Sequence, residues 1–164
     1  LMGWFSRNKD RDSAAGAGMG ESTGQGAPEY GDAIVEEITA TSPGQAELDL
    51  ITAGVRRAAS LGADPDDLAS ISAAYDTLRA TQDAGAEVAT EDIAAIGFAI
   101  GEFLSRNGYR WAMVSDTFGT DLGVEARRGS GTTIPHTLVA TRWMRGERGW
   151  VERVIGHLVR LAGR

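Results

Sequence analysis

The apolar residues of this 164-residue chain change their period once, near Gly108, and that change limits the fold more than any other feature. Before it, apolar side chains recur every three or four positions, as on one face of a helix. After it they alternate, as on a pleated strand. Helices followed by short strands predict the α+β class.

Three helices are expected before the change. Ser42-Pro43-Gly44-Gln45 offers a capping serine, a proline at the first helical position and a glutamine three residues after the cap, with Leu48, Ile51, Val55 and Ala58 on one face before Gly62. Asp64-Pro65-Asp66-Asp67 repeats that logic with acids in the first turn, and Leu68, Ile71, Tyr75 and Leu78 form a stripe before Gly85. The third begins near Thr90, carries Ile93, Ile96, Ile100, Phe103 and Leu104, and stops at Asn107-Gly108. Gly97 and Gly101 lie inside it. Each costs about 1 kcal/mol relative to alanine, so the pair predicts a close backbone approach to a neighbouring helix or strand.

Tyr109, Trp111, Met113 and Ser115 then alternate with Arg110, Ala112, Val114 and Asp116, which predicts a strand entering a hairpin at Thr117 to Asp121. Leu122, Val124 and Ala126 mark its return. A second turn at Gly129-Ser130-Gly131 leads to Thr132, Thr133 and Ile134. Pro135 either stops that strand or opens a short helix, and His136 to Arg145 fits both states. Val151, Val154, Ile155, Leu158 and Leu161 predict a terminal helix with Arg153 and Arg160 on one polar side. The expected architecture is therefore three N-terminal helices packed on a small antiparallel sheet of two to four strands, closed by a C-terminal amphipathic helix. The expected domain spans residues 32–164.

Residues 1–31 are rich in Gly, Ala and Ser and read as a flexible tail. Gly16-Ala17-Gly18-Met19-Gly20 lacks the Lys-Ser/Thr of a phosphate loop and a strand before it, so it reads as linker. Trp4 and Phe5 beside Arg7, Lys9 and Arg11 form the one candidate for a weak membrane contact, diluted by Asp10 and Asp12. No apolar run reaches the length of a membrane span, and the expected location is the cytoplasm. Fifteen arginines to a single lysine, Lys9, point to a GC-rich bacterial genome.

Charge is unevenly spread. Residues 13–126 hold five basic and nineteen acidic side chains, and residues 127–164 hold eight basic and two acidic. The basic end either neutralises the acidic body in the folded chain or binds an anionic partner.

Catalytic and metal chemistry find little to work with. The chain has no cysteine and two histidines, so no thiolate chemistry is available and no metal or cofactor is expected. His136 and His157 lack the nucleophile elbow of a serine-type triad. Asp116, Asp121 and Glu125 flank the hairpin and read as solvated turn acids. A ligand-binding or hydrolytic pocket would need Trp111, Asp116, His136 and Arg142 to converge. Weak nucleic-acid binding would use Arg142, Arg145, Arg148, Arg153, Arg160 and Arg164 with Trp143 and Trp150, against which Glu147 sits between two of the arginines.

The stretch from about Glu91 to Trp150 resembles a set of small uncharacterised bacterial proteins that share a domain of unknown function. The resemblance rests on Ala95-Ile96-Gly97, Gly101-Glu102, Gly108, Trp111, Asp116 with Gly119, Pro135, Val139, Arg142 and the Arg145-Gly146-Glu147 turn. It implies a fold and no activity. By elimination the sequence is read as a non-enzymatic module that contacts an unknown protein partner or a second copy through Arg142, Trp143, Trp150 and Arg153, because arginine and tryptophan are the commonest anchors of such contacts.

Overall fold

The computed structural model describes residues 38–128 and 131–163. The expected tail, with Trp4, Phe5 and the glycine run at 16–20, lies outside the described residues, as do Gly129 and Ser130 of the second turn. In chain order the elements are β1 (Thr39–Thr41), α1 (Gln45–Ser60), α2 (Leu68–Asp83), α3 (Thr90–Arg106), β2 (Tyr109–Asp116), β3 (Gly119–Ala126), β4 (Thr132–Thr133), α4 (Pro135–Met144) and α5 (Val151–Ala162). The α+β class holds, with five helices and a four-stranded antiparallel sheet of order β1-β2-β3-β4 among the described residues.

The expected arrangement needs correction at its start. The helices do not all precede the sheet, because β1 comes before α1 and pairs with β2, Ala40 opposite Val114. Three residues, Thr-Ala-Thr, are too few to display a period of two, and the strand is defined by its long-range partner. The stretch after Pro135 is a helix, with Pro135 in its first turn, where a missing N–H goes unneeded.

Two helix starts also differ. Ser42 does not cap α1; Gly44 occupies the cap position in extended conformation, without a side-chain cap, and Pro43 falls outside the helix. The cap of α2 is Asp67, whose Oδ1 accepts the Ala69 N–H at 3.0 Å, while Asp64 turns the preceding loop by accepting from the Asp66 N–H at 2.9 Å. Several acids in a row leave the choice of cap open in sequence, and backbone geometry makes it. The ends of α1, α2 and α3 agree with expectation; that of α4, which the sequence left open, uses the same device as α1. At Gly62, φ +85° lets the Ala63 N–H reach back to the Ala58 carbonyl at 3.0 Å, and Gly146, φ +67°, does the same for Glu147 and Arg142 at the end of α4.

At the centre lies α3, buried at Ile93, from Ala95 through Gly101, and at Leu104. It packs against α1, α2 and α4 and against the sheet through β2 and β3. A helix enclosed on so many sides needs places where neighbours come close, and glycines supply them. A Cβ on Gly101 would lie 2.0 Å from the Trp111 ring, and one on Gly97 would lie 2.7 Å from His136. In α1, Gly54 meets the Phe98 ring of α3 in the same manner, at 2.0 Å. The stripe of α1 is buried at Ile51 and Ala58, whereas Leu48, expected to join it, is 43% exposed at the helix start.

The sheet departs from simple alternation. Tyr109 and Val124 point into the core with α3, yet Ala112 and Val114 of the opposite face are buried too. Opposite Ala112 stands Gly123, and a Cβ there would meet Val114 Cγ2 and the Thr133 carbonyl at 2.9 Å and Ile134 Cγ1 at 3.4 Å.

Because the contact at Gly101 is with a rigid indole, Gly101→Ala should destabilise the domain by about 1–3 kcal/mol from overpacking, despite alanine's better helix propensity. Urea unfolding checks this, and unchanged stability would mean that Trp111 does not press on the helix.

Candidate functional site

Three of the four residues expected at a contact surface, Arg142, Trp143 and Trp150, gather around one side chain that sequence reading did not single out for that role. Tyr75, the lone aromatic of α2, is fully buried and faces Trp143, in the last turn of α4, and Trp150, the residue that opens α5. The ring centroids are 5.7 and 5.5 Å apart and both pairs meet edge to face, the geometry favoured by ring quadrupoles. The Tyr75 hydroxyl donates to the Glu147 carbonyl at 3.0 Å, and burial raises its pKa above the ordinary value.

This placement corrects the expected docking face. Trp150 has no exposed surface and Trp143 retains 8%, so both serve the core. A tryptophan beside arginines reads as a hot spot in sequence, but here the arginines lie over the rings from outside. The Arg142 guanidinium sits 4.5 Å from the Trp150 ring centroid and that of Arg79 5.1 Å from the Trp143 ring. Such contacts are each worth about 0.5–2 kcal/mol. Arg79 also donates from Nη1 to the Trp143 carbonyl at 3.1 Å.

The charges of this cluster are turned toward one another. Asp83 pairs with both Arg79 and Arg148, the latter at 2.5 Å, and the bond from Arg79, followed by that from Arg148, holds its carboxyl below the usual carboxylate range. Glu147 lies 3.8 Å from Arg142 and 3.7 Å from Arg145. Of the four expected interface residues, Arg153 stands exposed on α5.

The four expected pocket residues occupy three separate neighbourhoods. Trp111 and His136 both pack on Phe98, with ring centroids at 6.4 and 4.3 Å. Trp111 donates its indole N–H to Glu102 Oε2 at 3.1 Å, and Glu102 also accepts from Arg106 Nε at 3.1 Å. Asp116 sits at the hairpin turn, its Oδ1 accepting the N–H groups of Phe118 at 2.7 Å and Gly119 at 3.1 Å. Arg142 lies against Trp150. Among the described residues no three His, Asp or Glu side chains come together to hold a metal ion, and no helix is long and apolar enough to cross a membrane.

His136 is 7% exposed in the first turn of α4, packed into the space above Gly97. Desolvation lowers its pKa from 6.5 to about 4, with a hydrogen bond to the Ala94 backbone opposing the shift. The helix N-terminus likewise disfavours a cation there.

The described residues thus form a small α+β domain built around one enclosed helix, with Trp143 and Trp150 inside. Its sequence matches the family described as Domain of unknown function (DUF3806) over residues 67–154, more than half of the chain, and the protein belongs to that family. Comparison with curated proteins and with solved structures finds no match. The matched stretch starts at the Asp67 cap, earlier than the expected Glu91, and so takes in α2. The structure supplies a reason: Tyr75 of α2 is the residue on which Trp143 and Trp150 close.

Two measurements probe these contacts. Tyr75→Phe keeps the ring and leaves the Glu147 carbonyl without its donor, which should lower stability by about 1–2 kcal/mol in urea unfolding. For His136 the folded pKa lies below the unfolded one, so its contribution is fully present above about pH 6.5 and is lost as pH falls toward 4, reaching about 3 kcal/mol. Stability measured across that window should fall more steeply in the native chain than in His136→Leu, and equal slopes would refute the assignment.

Proposed function

We propose that this chain is a protein-interaction module that acts by binding, and that its contact surface is the outer face of α5. The observation that carries the proposal is an accounting of arginines. Arg57, Arg79, Arg106, Arg110, Arg142, Arg145 and Arg148 each lie within ion-pair distance of an Asp or Glu. Arg127 donates to the carbonyls of Tyr109 and Ser105. Arg56, Arg128, Arg153 and Arg160 make no ion pair among the described residues, and two of these four share α5.

Arg153, His157 and Arg160 follow at helical spacing on the side of α5 opposite the buried Val151, Ile155 and Ala162. Seven residues of helix separate the two guanidinium-bearing positions by about 10 Å. Charged side chains fixed on a rigid helix and left unpaired offer strong sites for carboxylates, since the helix is already ordered before binding. Asp116, by contrast, spends Oδ1 on its own turn and His136 is held neutral in the core, which removes support from the pocket reading. The proposed setting is a bacterial cytoplasm, in keeping with the arginine-over-lysine usage.

The test is native co-purification with the full chain and its Arg153→Glu/Arg160→Glu variant. A partner held by the native chain should be depleted at least about tenfold by the double reversal, with circular dichroism and thermal unfolding unchanged. A strictly monomeric chain that retains nothing at low salt would remove the proposal.

A further inference from the structure

Four glycines lie within helices of the described residues: Gly54, Gly97, Gly101 and Gly156. Glycine is the least favourable residue in a helix interior apart from proline, so each calls for a reason. The first three have one, since rings of Phe98, His136 and Trp111 occupy the space where their Cβ atoms would be. Gly156 has none among the described residues. A Cβ there would meet only Arg160 Nη1, at 3.5 Å, an ordinary contact with the end of a flexible side chain.

Gly156 stands on α5 between Arg153 and Arg160, three and four residues away, so it lies along the face that carries both unpaired arginines. Between the two cations the helix backbone is thus covered, among the described residues, by no more than the flexible Arg160 side chain. We infer that α5 receives an acidic protein segment whose backbone comes down on Gly156 while two of its carboxylates engage Arg153 and Arg160. This rests on the binding face proposed above and names its partner class. Carboxylates about 9–10 Å apart, three residues along a polyproline-II segment whose side chains return to the same face every third residue, match the spacing of the two arginines. Each guanidinium presents a fork suited to bidentate carboxylate contact, and the absent Cβ shortens the approach for a main chain.

Charge complementarity favours a carboxylate segment over a nucleic acid. A duplex demands many phosphate contacts spread over a broad basic surface, whereas this stripe holds two arginines and one histidine, with the exposed Glu152 beside Arg153. The chain as a whole carries −7, which repels a long polyanion.

The probe is a labelled peptide of repeated Glu-Ala-Ala, titrated by fluorescence anisotropy against the full chain, with a single-stranded oligonucleotide of equal charge in parallel. Peptide binding should weaken with salt, fall more than about tenfold in Arg153→Glu/Arg160→Glu, and fall severalfold in Gly156→Leu. Gly156→Ala should raise the thermal midpoint by a few degrees, roughly as expected from helix propensity and domain size, while still weakening the peptide. A merely structural glycine would not move the two readouts in opposite directions. Peptide binding indifferent to all three variants overturns the inference, as does an oligonucleotide that binds as tightly as the peptide or a concentration-dependent dimer dissolved by Arg160→Glu. If the peptide fails while the co-purified partner is still lost in the double reversal, the acidic-segment inference falls and the α5 face stands; if the partner also survives, both fall.

Discussion

Tyr75 joins the first half of this fold to its last third. Its ring meets Trp143 at the end of α4 and Trp150 at the start of α5, and its hydroxyl takes the Glu147 carbonyl in the loop between them. A loop with its own glycine turn, closing α4 at Gly146, would leave the direction of α5 open. Pinning an aromatic on either side of that loop settles it. Large buried aromatics remove much apolar surface from water, and truncating one typically costs about 3–5 kcal/mol, so this contact outweighs any surface ion pair nearby.

The clamp works because α3 gives the rest of the molecule a common support. That helix is apolar on most sides, and an element of this kind is stable only when enclosed. Enclosure brings ridges of neighbouring elements too near for ordinary side chains, and the glycines at 54, 97 and 101 each admit one ring. Phe98 then stands between Trp111 and His136, so that the sheet and α4 meet α3 through the same aromatic side chain. Histidine in that place must be neutral. The domain therefore gains packing above the histidine range and loses it in acid, by the same desolvation that keeps water out.

What was legible in the sequence was whatever repeats locally. The stripes of α2 and α3, the glycine stops at 62 and 85, the hairpin around Thr117 and the amphipathic α5 each announce themselves within a few turns of chain. Leu48 shows the limit, since a stripe gives the face of a helix and not how far its neighbour extends. β1 was invisible because three residues carry no period and owe their conformation to Ala40 lying opposite Val114. Trp143 and Trp150 were misplaced for a related reason. Beside so many arginines they resemble interface anchors, and only the position of Tyr75, about seventy residues earlier, turns them inward.

The charge asymmetry of the sequence resolves in the same way, one residue at a time. An excess of arginine near the C-terminus looks like a single basic patch, but a guanidinium is committed once a carboxylate or an aromatic face meets it. Arg142, Arg145 and Arg148 are so committed, two of them to Glu147 and the third to Asp83 from the acidic half of the chain. Neutralisation within the fold and binding of a partner were alternatives when applied to the whole segment. Applied residue by residue, neutralisation accounts for one part of it, because the loop after α4 faces α2 and its acids, whereas α5 turns its apolar side inward and carries Arg153 and Arg160 without an ion pair among the described residues. The amphipathicity that seats α5 is thus also what leaves its cations available.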